Sequence, residues 1–245
     1  MHRVLHDGTY YDIQSSVIDG GIVKIGFDRI DDALAAVAAG EVVVVLDDKT
    51  RENEGDLIIA AEHVTAETMA FFVRHTTGII CVALLGERLD SLELPPMVAA
   101  GSDRLGTAFT VSVDSRHGTT TGVSAADRAR TIEALIDPAT RPEDLLRPGH
   151  MFPLRARGGG VLERRGHTEA AVDLARLAGL TAAGVLCEIV NEDGSMARAP
   201  DLLHFARYHD LRIVQISDLV RYREYLNSHP PALRVRNRQP LLRAC

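Results

Sequence analysis

Short, continuous apolar runs alternate along the chain with segments whose apolar residues recur at helical spacing. The main runs are EVVVVLDD, LIIAA, GIICVALL, GVLCEIV and LRIVQI. Runs of this length without polar interruption are typical of strands that are buried on both faces of a sheet. Because helical segments separate them, the pattern predicts a single layered α/β domain, in which helices pack on the faces of a mixed sheet.

Most of the helical segments begin with a recognisable capping residue. Ser, Thr and Asp are preferred at this position because their side-chain oxygen accepts a hydrogen bond from an unpaired N–H of the first turn. The predicted caps are Asp28, Thr65, Ser124 (with Asp127) and Ser217. Two more helices are predicted for HTEAAVDLARLAG and PDLLHFARYHD, and the first of these ends at Gly179.

The remaining segments carry less periodic signal. AFTVSVD is predicted to be a strand of alternating character, and residues 138–160, rich in Pro, Gly and Arg, are predicted to be loops around a short strand. Residues 1–26 are expected to be an N-terminal arm and residues 27–228 the folded domain. Residues 229–245 carry several Arg and no acid, which indicates a disordered basic tail.

Composition narrows the classes of protein that remain. The chain has 245 residues, 25% of them charged, and a formal net charge of −7, which argues against a nucleic-acid partner. No apolar stretch approaches the roughly 20 residues of a membrane span. The three cysteines are far apart and form no CxxC, so a reducing, cytoplasmic setting is expected. Phosphate-loop, dinucleotide-binding, HExxH and GxSxG motifs are absent.

The segment DDKTRENEGD follows the first buried strand and concentrates like charges. Carboxylate oxygens are the ligands that Mg²⁺ and Mn²⁺ prefer, and α/β proteins place ligands at strand ends. Because Glu52, Glu54 and Asp56 alternate, an extended backbone would bring them to one face. The alternative is a solvated turn with local ion pairs, and spacing alone favours that alternative.

The segment RRGHTEAAVDL places polar residues at the start of a predicted helix. Free N–H groups and the partial positive charge of a helix N-terminus favour a phosphate group, and Arg164, Arg165 and Thr168 would add donors. His167 is a candidate metal ligand or acid/base group. The alternative is that Thr168 only caps the helix and that His167 has no catalytic role.

Two further residues are candidates for proton transfer. His150 follows Pro148-Gly149, which predicts a rigid turn, and an unperturbed imidazole titrates near neutral pH. Glu188 lies within the apolar run GVLCEIV, where an unpaired carboxylate is costly unless it lies at an opening. The alternatives are a buried structural histidine and a glutamate that faces water from an edge strand.

Together these segments resemble 3,4-dihydroxy-2-butanone 4-phosphate synthases of riboflavin biosynthesis. The resemblance extends from about Ile30 to Leu226 and rests on RENEGD, TTTGVSAADRARTI, RPGHMFPL and RRGHTEA, in this order. It implies a lyase that converts D-ribulose 5-phosphate to formate and L-3,4-dihydroxy-2-butanone 4-phosphate. It also implies Mg²⁺, with Mn²⁺ as a substitute and two ions per site, and a homodimer with shared active sites.

The resemblance also implies roles for individual residues. The metal ligands would be Glu52 and His167, and the residues required for catalysis would be His150 and Glu188. The substrate contacts would be Arg51, Glu52, Asp56, Arg164, Arg165, Gly166, His167, Thr168 and Glu188. Weaker candidates near the site are Asp47, Glu54, Cys81 and Thr121.

Two other functions stay open on the sequence alone. The same combination of metal and phosphate groups would serve another sugar-phosphate isomerase or aldolase. A binding module that retains the fold is a second alternative, which the intact set of acids and histidines disfavours.

Overall fold

A computed structural model of the chain describes residues 14–18, 21–102 and 104–229. Its strands are β1 (Gln14–Ile18), β2 (Gly21–Ile25), β3 (Val43–Leu46), β4 (Gly55–Ala60), β5 (Cys81–Leu84), β6 (Val113–Ser115), β7 (Leu145–Arg155), β8 (Ala183–Glu188) and β9 (Arg212–Gln215). Its α-helices are α1 (Ile30–Ala38), α2 (Ala66–His75), α3 (Gly86–Ser91), α4 (Ala125–Ile136), α5 (His167–Leu177), α6 (Ala199–Tyr208) and α7 (Ile216–Ser228).

Seven of the strands form one mixed sheet in the order β6-β7-β5-β8-β4-β3-β9. The pairs β3–β9 and β5–β7 are parallel, and the other four pairs are antiparallel. The predicted mixed sheet with helices on its faces is therefore confirmed. Strands β4 and β8 lie in the middle of the sheet, so residues at their ends are surrounded by other elements.

Helices cover both faces of this sheet, which explains why the strands have no polar alternation. Along β3, Val43 and Val45 pack into the layer with α1, α5 and α7, whereas Val44 and Leu46 pack into the layer with α2, α4 and α6. All four of these residues are buried. A strand in this position must be apolar at every residue, because neither face meets water.

Two of the predicted helix caps are confirmed and two are wrong. Thr65 accepts a hydrogen bond from Thr68 N–H at the start of α2, and Ser124 accepts one from Asp127 N–H at the start of α4. The cap of α1 is Arg29, because the carboxylate of Asp28 accepts the N–H of Ile213 instead. Helix α7 begins at Ile216, so Ser217 lies inside its first turn.

The region 138–160 contains a longer strand than predicted. Strand β7 spans 11 residues and includes Pro148. Residues 147–150 lie opposite the register shift between Val113 and Asp114, before β5 pairing begins at Phe152. A proline is tolerated at such an irregularity because no regular ladder bond requires its missing N–H. AFTVSVD, in contrast, contributes only the short strand β6 and isolated bridges.

The N-terminal region contains more regular structure than its sequence indicated. Strands β1 and β2 pair antiparallel with each other, from Gln14↔Ile25 to Ile18↔Gly21, and form a separate two-stranded sheet. Backbone pairing of this kind needs no alternating apolar face, so periodicity does not reveal it. The predicted tail lies almost wholly outside the described residues. Among the described helices, none is long and apolar enough to cross a membrane.

The central position of β4 leads to a prediction about stability. Leu57 is fully buried, and Leu57→Ala is expected to lower the free energy of unfolding by about 2–5 kcal/mol, since it removes buried methyl groups and leaves a cavity. Leu162→Ala is the matched control, since Leu162 is 37% exposed and its truncation should cost less than about 1 kcal/mol. Chemical denaturation measures both values, and equal losses would contradict the layered core described above.

Candidate active site

The acidic segment between β3 and β4 folds around the carboxylate of Asp47. Its two oxygens accept the N–H groups of Glu52 (3.1 Å) and Glu54 (2.9 Å) and the Arg51 Nη1 (2.9 Å). Asp47 is 4% exposed, and Asp56, the second residue of β4, is 3% exposed. The solvated-turn alternative is therefore wrong for these two acids, because both are buried inside the protein.

Helix α5 directs His167 at this segment. Gly166 occupies the cap position, and His167 is the first residue of the helix. Gly166 has no side chain that could cap the first turn. The imidazole is buried, and its Nε2 lies 3.1 Å from the carbonyl oxygen of Val45, which can only accept. Nε2 therefore donates, and Nδ1 faces Glu52 Oε2 at 3.5 Å and Asp56 Oδ1 at 3.6 Å.

Burial and mutual charge shift the proton affinities of these groups. Burial raises the pKa of Asp56 to about 8. Burial alone would lower the pKa of His167, but the carboxylates of Asp56, Glu52 and Asp47 raise it to about 9. The hydrogen bond with His167 and the charge of Arg51 lower the pKa of Glu52 against its burial. His167 is therefore protonated at neutral pH, and a cation bound at Nδ1 would displace that proton.

Three of these side chains can serve together as ligands of a divalent cation. One ligand atom from each of Asp47, Glu52 and His167 lies within 4.8 Å of the other two, and no other group of three or more candidate ligands occurs in the described part of the chain. The nearby Asp56 Oδ1 is buried without a hydrogen-bond partner. Two carboxylates and an imidazole fit Mg²⁺ or Mn²⁺, and the imidazole favours Mn²⁺ more than Mg²⁺.

The N-terminus of α5 lies beside this group and has no side-chain cap. The first N–H groups of a helix have no partner within it, and no side chain caps them here. Thr168 is buried in this first turn. A side chain at Gly166 would place its Cβ 2.2 Å from Arg164 Nη1, so only glycine allows the arginine to lie against the backbone here.

The two arginines before α5 have different environments. The Arg164 guanidinium donates to Glu169 Oε2 (2.6 Å), to Thr107 Oγ1 (3.1 Å) and to the carbonyl of Leu105 (3.1 Å). The protein thus fixes Arg164 in place at the edge of the anion site. Arg165 is exposed. The pKa of Asp48 is lowered mainly by hydrogen bonds from Thr50 and, to a smaller extent, by the charge of Arg165.

Glu188 is the last residue of β8 and lies directly opposite Asp56 in the β4–β8 register. Because β8 is flanked by β5 and β4, the edge-strand alternative is wrong. Glu188 Oε2 accepts the hydroxyl of Thr77 at 2.8 Å. Cys81 is buried at the start of the neighbouring strand β5. Burial raises the pKa of its thiol, and the charge of Glu188 raises it further. Cys81 is therefore a protonated thiol near this end of the sheet.

Glu52, Glu54 and Asp56 do not lie along one extended backbone, so that part of the expectation is wrong, although the charge of Glu52, after burial, raises the pKa of Glu54. Asn53 has a positive φ of 55°, and only Asp56 belongs to β4, so the segment is not extended. Glu54 Oε1 instead lies 3.7 Å from Arg198, whose Nη1 also donates to the carbonyls of Glu52 (2.8 Å) and Asn53 (2.6 Å). Glu54 thus helps to attach the turn to the start of α6.

His150 belongs to strand β7, so the prediction of a turn is wrong. The carboxylate of Asp114 forms two hydrogen bonds with His150. Oδ1 accepts the backbone N–H of His150 (2.8 Å), and Oδ2 lies 2.8 Å from the ring Nδ1. Thr121 is exposed, and the adjacent Gly122 packs so closely that a Cβ there would lie 2.1 Å from Asp114 Oδ2. His150 and Asp114, with Gly122 packed against Asp114, form a second cluster, and Thr121 lies next to it in the chain.

The second cluster is separated from the metal-ligand group within one chain. Phe152 of β7 pairs with Cys81 of β5, and Cys81 pairs with Leu186 of β8. Two residues further toward the same end of the sheet, this register places His150 level with Glu188 and two strands away from it. At about 4.8 Å per strand, the separation is about 10 Å. The structure therefore brings Asp47, Arg51, Glu52, Asp56 and His167 together, with Glu188 beside them, but leaves His150 apart.

Several residues around the site were not predicted from the sequence. They are Asp114, which binds His150; Thr77, which binds Glu188; Glu169, which binds Arg164; and Arg198, which binds the turn. Glu169 lies in RRGHTEA and Asp114 ends AFTVSVD, so both were within segments of interest. Their partners are distant in sequence, and no local pattern identifies such pairs.

The fold and the site together define a class of protein. It is a layered α/β protein in which a carboxylate–histidine group for a divalent cation adjoins an uncapped helix N-terminus. Such a site suits a small, phosphorylated ligand that carries oxygens for the cation. The family model described as 3,4-dihydroxy-2-butanone 4-phosphate synthase matches residues 31–222, and the chain belongs to this family.

Individual relatives and solved structures agree with this assignment. The chain is 56% identical over 194 residues to the 3,4-dihydroxy-2-butanone 4-phosphate synthase of Agrobacterium fabrum, a match that covers 79% of this chain and 91% of that protein. A crystal structure of 3,4-dihydroxy-2-butanone 4-phosphate synthase in complex with two magnesium ions has a TM-score of 0.79 and 49% identity. The match covers 82% of this chain and 99% of that one.

Other relatives are longer than the matched segment. The chain is 60% identical over 199 residues to the riboflavin biosynthesis protein RibBA of Synechocystis, which covers 80% of this chain. That match spans only 36% of the Synechocystis protein, and a similar match spans 47% of the Salinispora arenicola RibBA. The chain thus corresponds to about a third to a half of the length of these relatives.

The protonation of His167 leads to a prediction about metal binding. Because its pKa is about 9, Nδ1 must lose a proton before it can coordinate, and Mn²⁺ binding at pH 7 is expected to release about one proton per site. The affinity should consequently rise as the pH increases toward 9. Titration calorimetry in two buffers of different ionisation enthalpy measures the released protons.

Two variants complete this experiment. Glu52→Gln is expected to weaken Mn²⁺ binding at least about tenfold, because it removes one charged ligand. Glu41→Gln is the control, since Glu41 is exposed and precedes β3 at the opposite end from the acidic turn. Binding without proton release would show that His167 is not a ligand.

Proposed function

We propose that the chain converts D-ribulose 5-phosphate to L-3,4-dihydroxy-2-butanone 4-phosphate and formate, as a lyase of riboflavin biosynthesis. The observation that carries this proposal is the metal-ligand group Asp47, Glu52 and His167 beside the uncapped N-terminus of α5. This arrangement occurs in a chain that matches a relative of that name over 91% of the relative's length. The atoms of the substrate equal those of the two products together, so the reaction needs no oxidant.

Binding of a divalent cation at this group is part of the proposal. Mg²⁺, with two ions per site, is supported by the similar structure that contains two magnesium ions. Mn²⁺ is proposed as a substitute because one of the candidate ligands is an imidazole. When bound, the cation supplies Lewis-acid stabilisation of negative charge on neighbouring substrate oxygens.

The N-terminus of α5 is proposed to hold the phosphate group of the substrate. The N–H groups of its first turn and the hydroxyl of Thr168 would donate to the phosphate oxygens, and Arg165 would add charge from the surface. Arg164 would contribute from the position that Glu169 fixes. Holding one end of the sugar in this way fixes which carbons face the acids, which is an orientation effect.

Acid–base groups are proposed to act on the other end of the sugar. Asp56, whose pKa burial raises to about 8, is proposed to form a hydrogen bond with a substrate oxygen while Arg51 and Glu52 bind nearby. Glu188, directly opposite Asp56, is proposed to transfer protons at substrate carbon or oxygen. His150 is the second proposed acid–base group, with Asp114 fixing Nδ1 and leaving Nε2 for the substrate.

A homodimer with shared active sites is proposed to bring His150 to the metal-ligand group. Within one chain, His150 lies about 10 Å from Glu188 by strand spacing, and its side chain is 46% exposed. An exposed acid–base residue at this end of the sheet can reach the corresponding site of a second copy. A cytoplasmic setting is also proposed, since Cys81 and Cys187 are free thiols.

The first test of this function is an assay of formate. Incubation with ribulose 5-phosphate and Mg²⁺ is expected to produce formate, and EDTA should abolish the reaction because the carboxylate–histidine group would then lack its cation. Glu52→Gln and His167→Ala should each lower turnover at least about 100-fold with little change in melting temperature, whereas Glu41→Gln should keep parental turnover. Absence of metal-dependent formate would rule out the proposed activity.

The second test examines whether the active sites are shared. Glu52→Gln and His150→Ala homodimers should both be inactive, but after unfolding and refolding together, half of the dimers would be mixed. Each mixed dimer has one site with both native residues, so the mixture should recover about a quarter of parental activity, as two-fold symmetry requires. No recovery in a mixture shown to contain mixed dimers would place Glu52 and His150 of each site in one chain.

A further inference from the structure

Thr77, in the connection between α2 and β5, is bound to Glu188 through both backbone and side chain. Its N–H donates to the carbonyl of Glu188 at 2.9 Å. Its hydroxyl donates to the carboxylate of Glu188, with 2.8 Å between Oγ1 and Oε2. Two bonds between the same two residues fix the side chain relative to the strand that carries it.

The surroundings of the hydroxyl determine the direction of its single proton. The N–H of Ile79 donates to Thr77 Oγ1 at 3.3 Å. The Cys187 sulfur lies 3.3 Å from the same oxygen, and burial raises the pKa of this thiol to about 11, so it stays protonated and can donate. Because the Ile79 N–H and the Cys187 thiol can both donate to Thr77 Oγ1, the hydroxyl proton of Thr77 is free to point at the carboxylate of Glu188, which can only accept.

The backbone around Thr77 is itself held by short-range bonds. The neighbouring Thr76 is buried, and its hydroxyl donates to the carbonyl of Phe72 at 2.7 Å. Gly78 has a φ of 80°, which glycine adopts without strain, and its N–H donates to Thr76 Oγ1 at 3.3 Å. Thr76 also pairs with Ile189 in an antiparallel bridge, next to Glu188. Thr77 is therefore placed by a rigid connection and not by a mobile loop.

We propose that Thr77 is a positioning residue of the reaction, which holds the Glu188 carboxylate by Oε2 so that Oε1 is presented to the substrate. No described residue donates a hydrogen bond to Oε1. A fixed carboxylate meets the substrate in one orientation, whereas a carboxylate without this bond samples several rotamers. This inference rests on the proposed role of Glu188 in catalysis.

The test compares Thr77→Val, which has nearly the same shape but no hydroxyl, with Thr77→Ser, which restores it. Steady-state formate production with Mg²⁺ is measured for both, together with parental protein. Thr77→Val is expected to lower kcat by about 10- to 100-fold, the range that a small misplacement of a catalytic group costs. KM for ribulose 5-phosphate should change less than about twofold, because phosphate and metal binding do not involve Thr77.

Two controls separate positioning from folding. Thr77→Ser should keep kcat within about threefold of the parental value, since its hydroxyl can make the same bond. Thr181→Val is the matched control, because Thr181 is exposed and its hydroxyl has no bond among the described residues. Melting temperatures of all variants are measured to detect any loss of folding.

The outcomes distinguish this inference from the proposed function. Parental protein without metal-dependent formate would contradict the function itself. Active parental protein together with an unimpaired Thr77→Val variant would overturn only the role of Thr77. Equal impairment of Thr77→Val and Thr77→Ser would also overturn it, because the methyl group and not the hydroxyl would then be required.

Discussion

The arrangement of the site depends on the burial of two aspartates around one imidazole. A buried carboxylate is stable only when donors surround it or when it takes up a proton. Asp47 is stabilised by donors, namely two backbone N–H groups and Arg51, and this shapes the acidic turn. Asp56 Oδ1 has no hydrogen-bond partner and lies 3.6 Å from His167 Nδ1, and burial raises the pKa of Asp56 to about 8. Asp47, together with Glu52 and His167, therefore lies where the three side chains can bind a divalent cation.

Helix α5 connects the metal-ligand group with the loop that precedes the helix. His167 contacts the carbonyl of Val45 in the sheet, whereas Glu169 accepts the N–H of Arg157 (3.0 Å) and the guanidinium of Arg164. Asp173, one turn later, is fully buried and accepts the N–H of Val161 (2.9 Å). The same helix thus provides site residues and fixes the loop that precedes it.

The mixed sheet determines which groups can act together. Antiparallel pairing of β4 with β8 places Asp56 and Glu188 opposite each other, whereas β5 separates Glu188 from the strand of His150. Two clusters therefore result at one end of one sheet. This backbone separation of about 10 Å is the physical reason for proposing a shared site, to which a second copy would contribute the exposed imidazole.

The sequence by itself determined the layered fold, most of the elements and the segments that carry chemistry, because continuous apolar runs and capping residues such as Thr65 act locally. It could not determine that Glu54 turns to Arg198, that His150 lies on a strand, or that Asp114 and Thr77 are partners of candidate catalytic groups. Those facts depend on contacts between residues distant in the chain. Only the tertiary structure decided them, because strand order and burial select which polar groups meet and which remain without a partner.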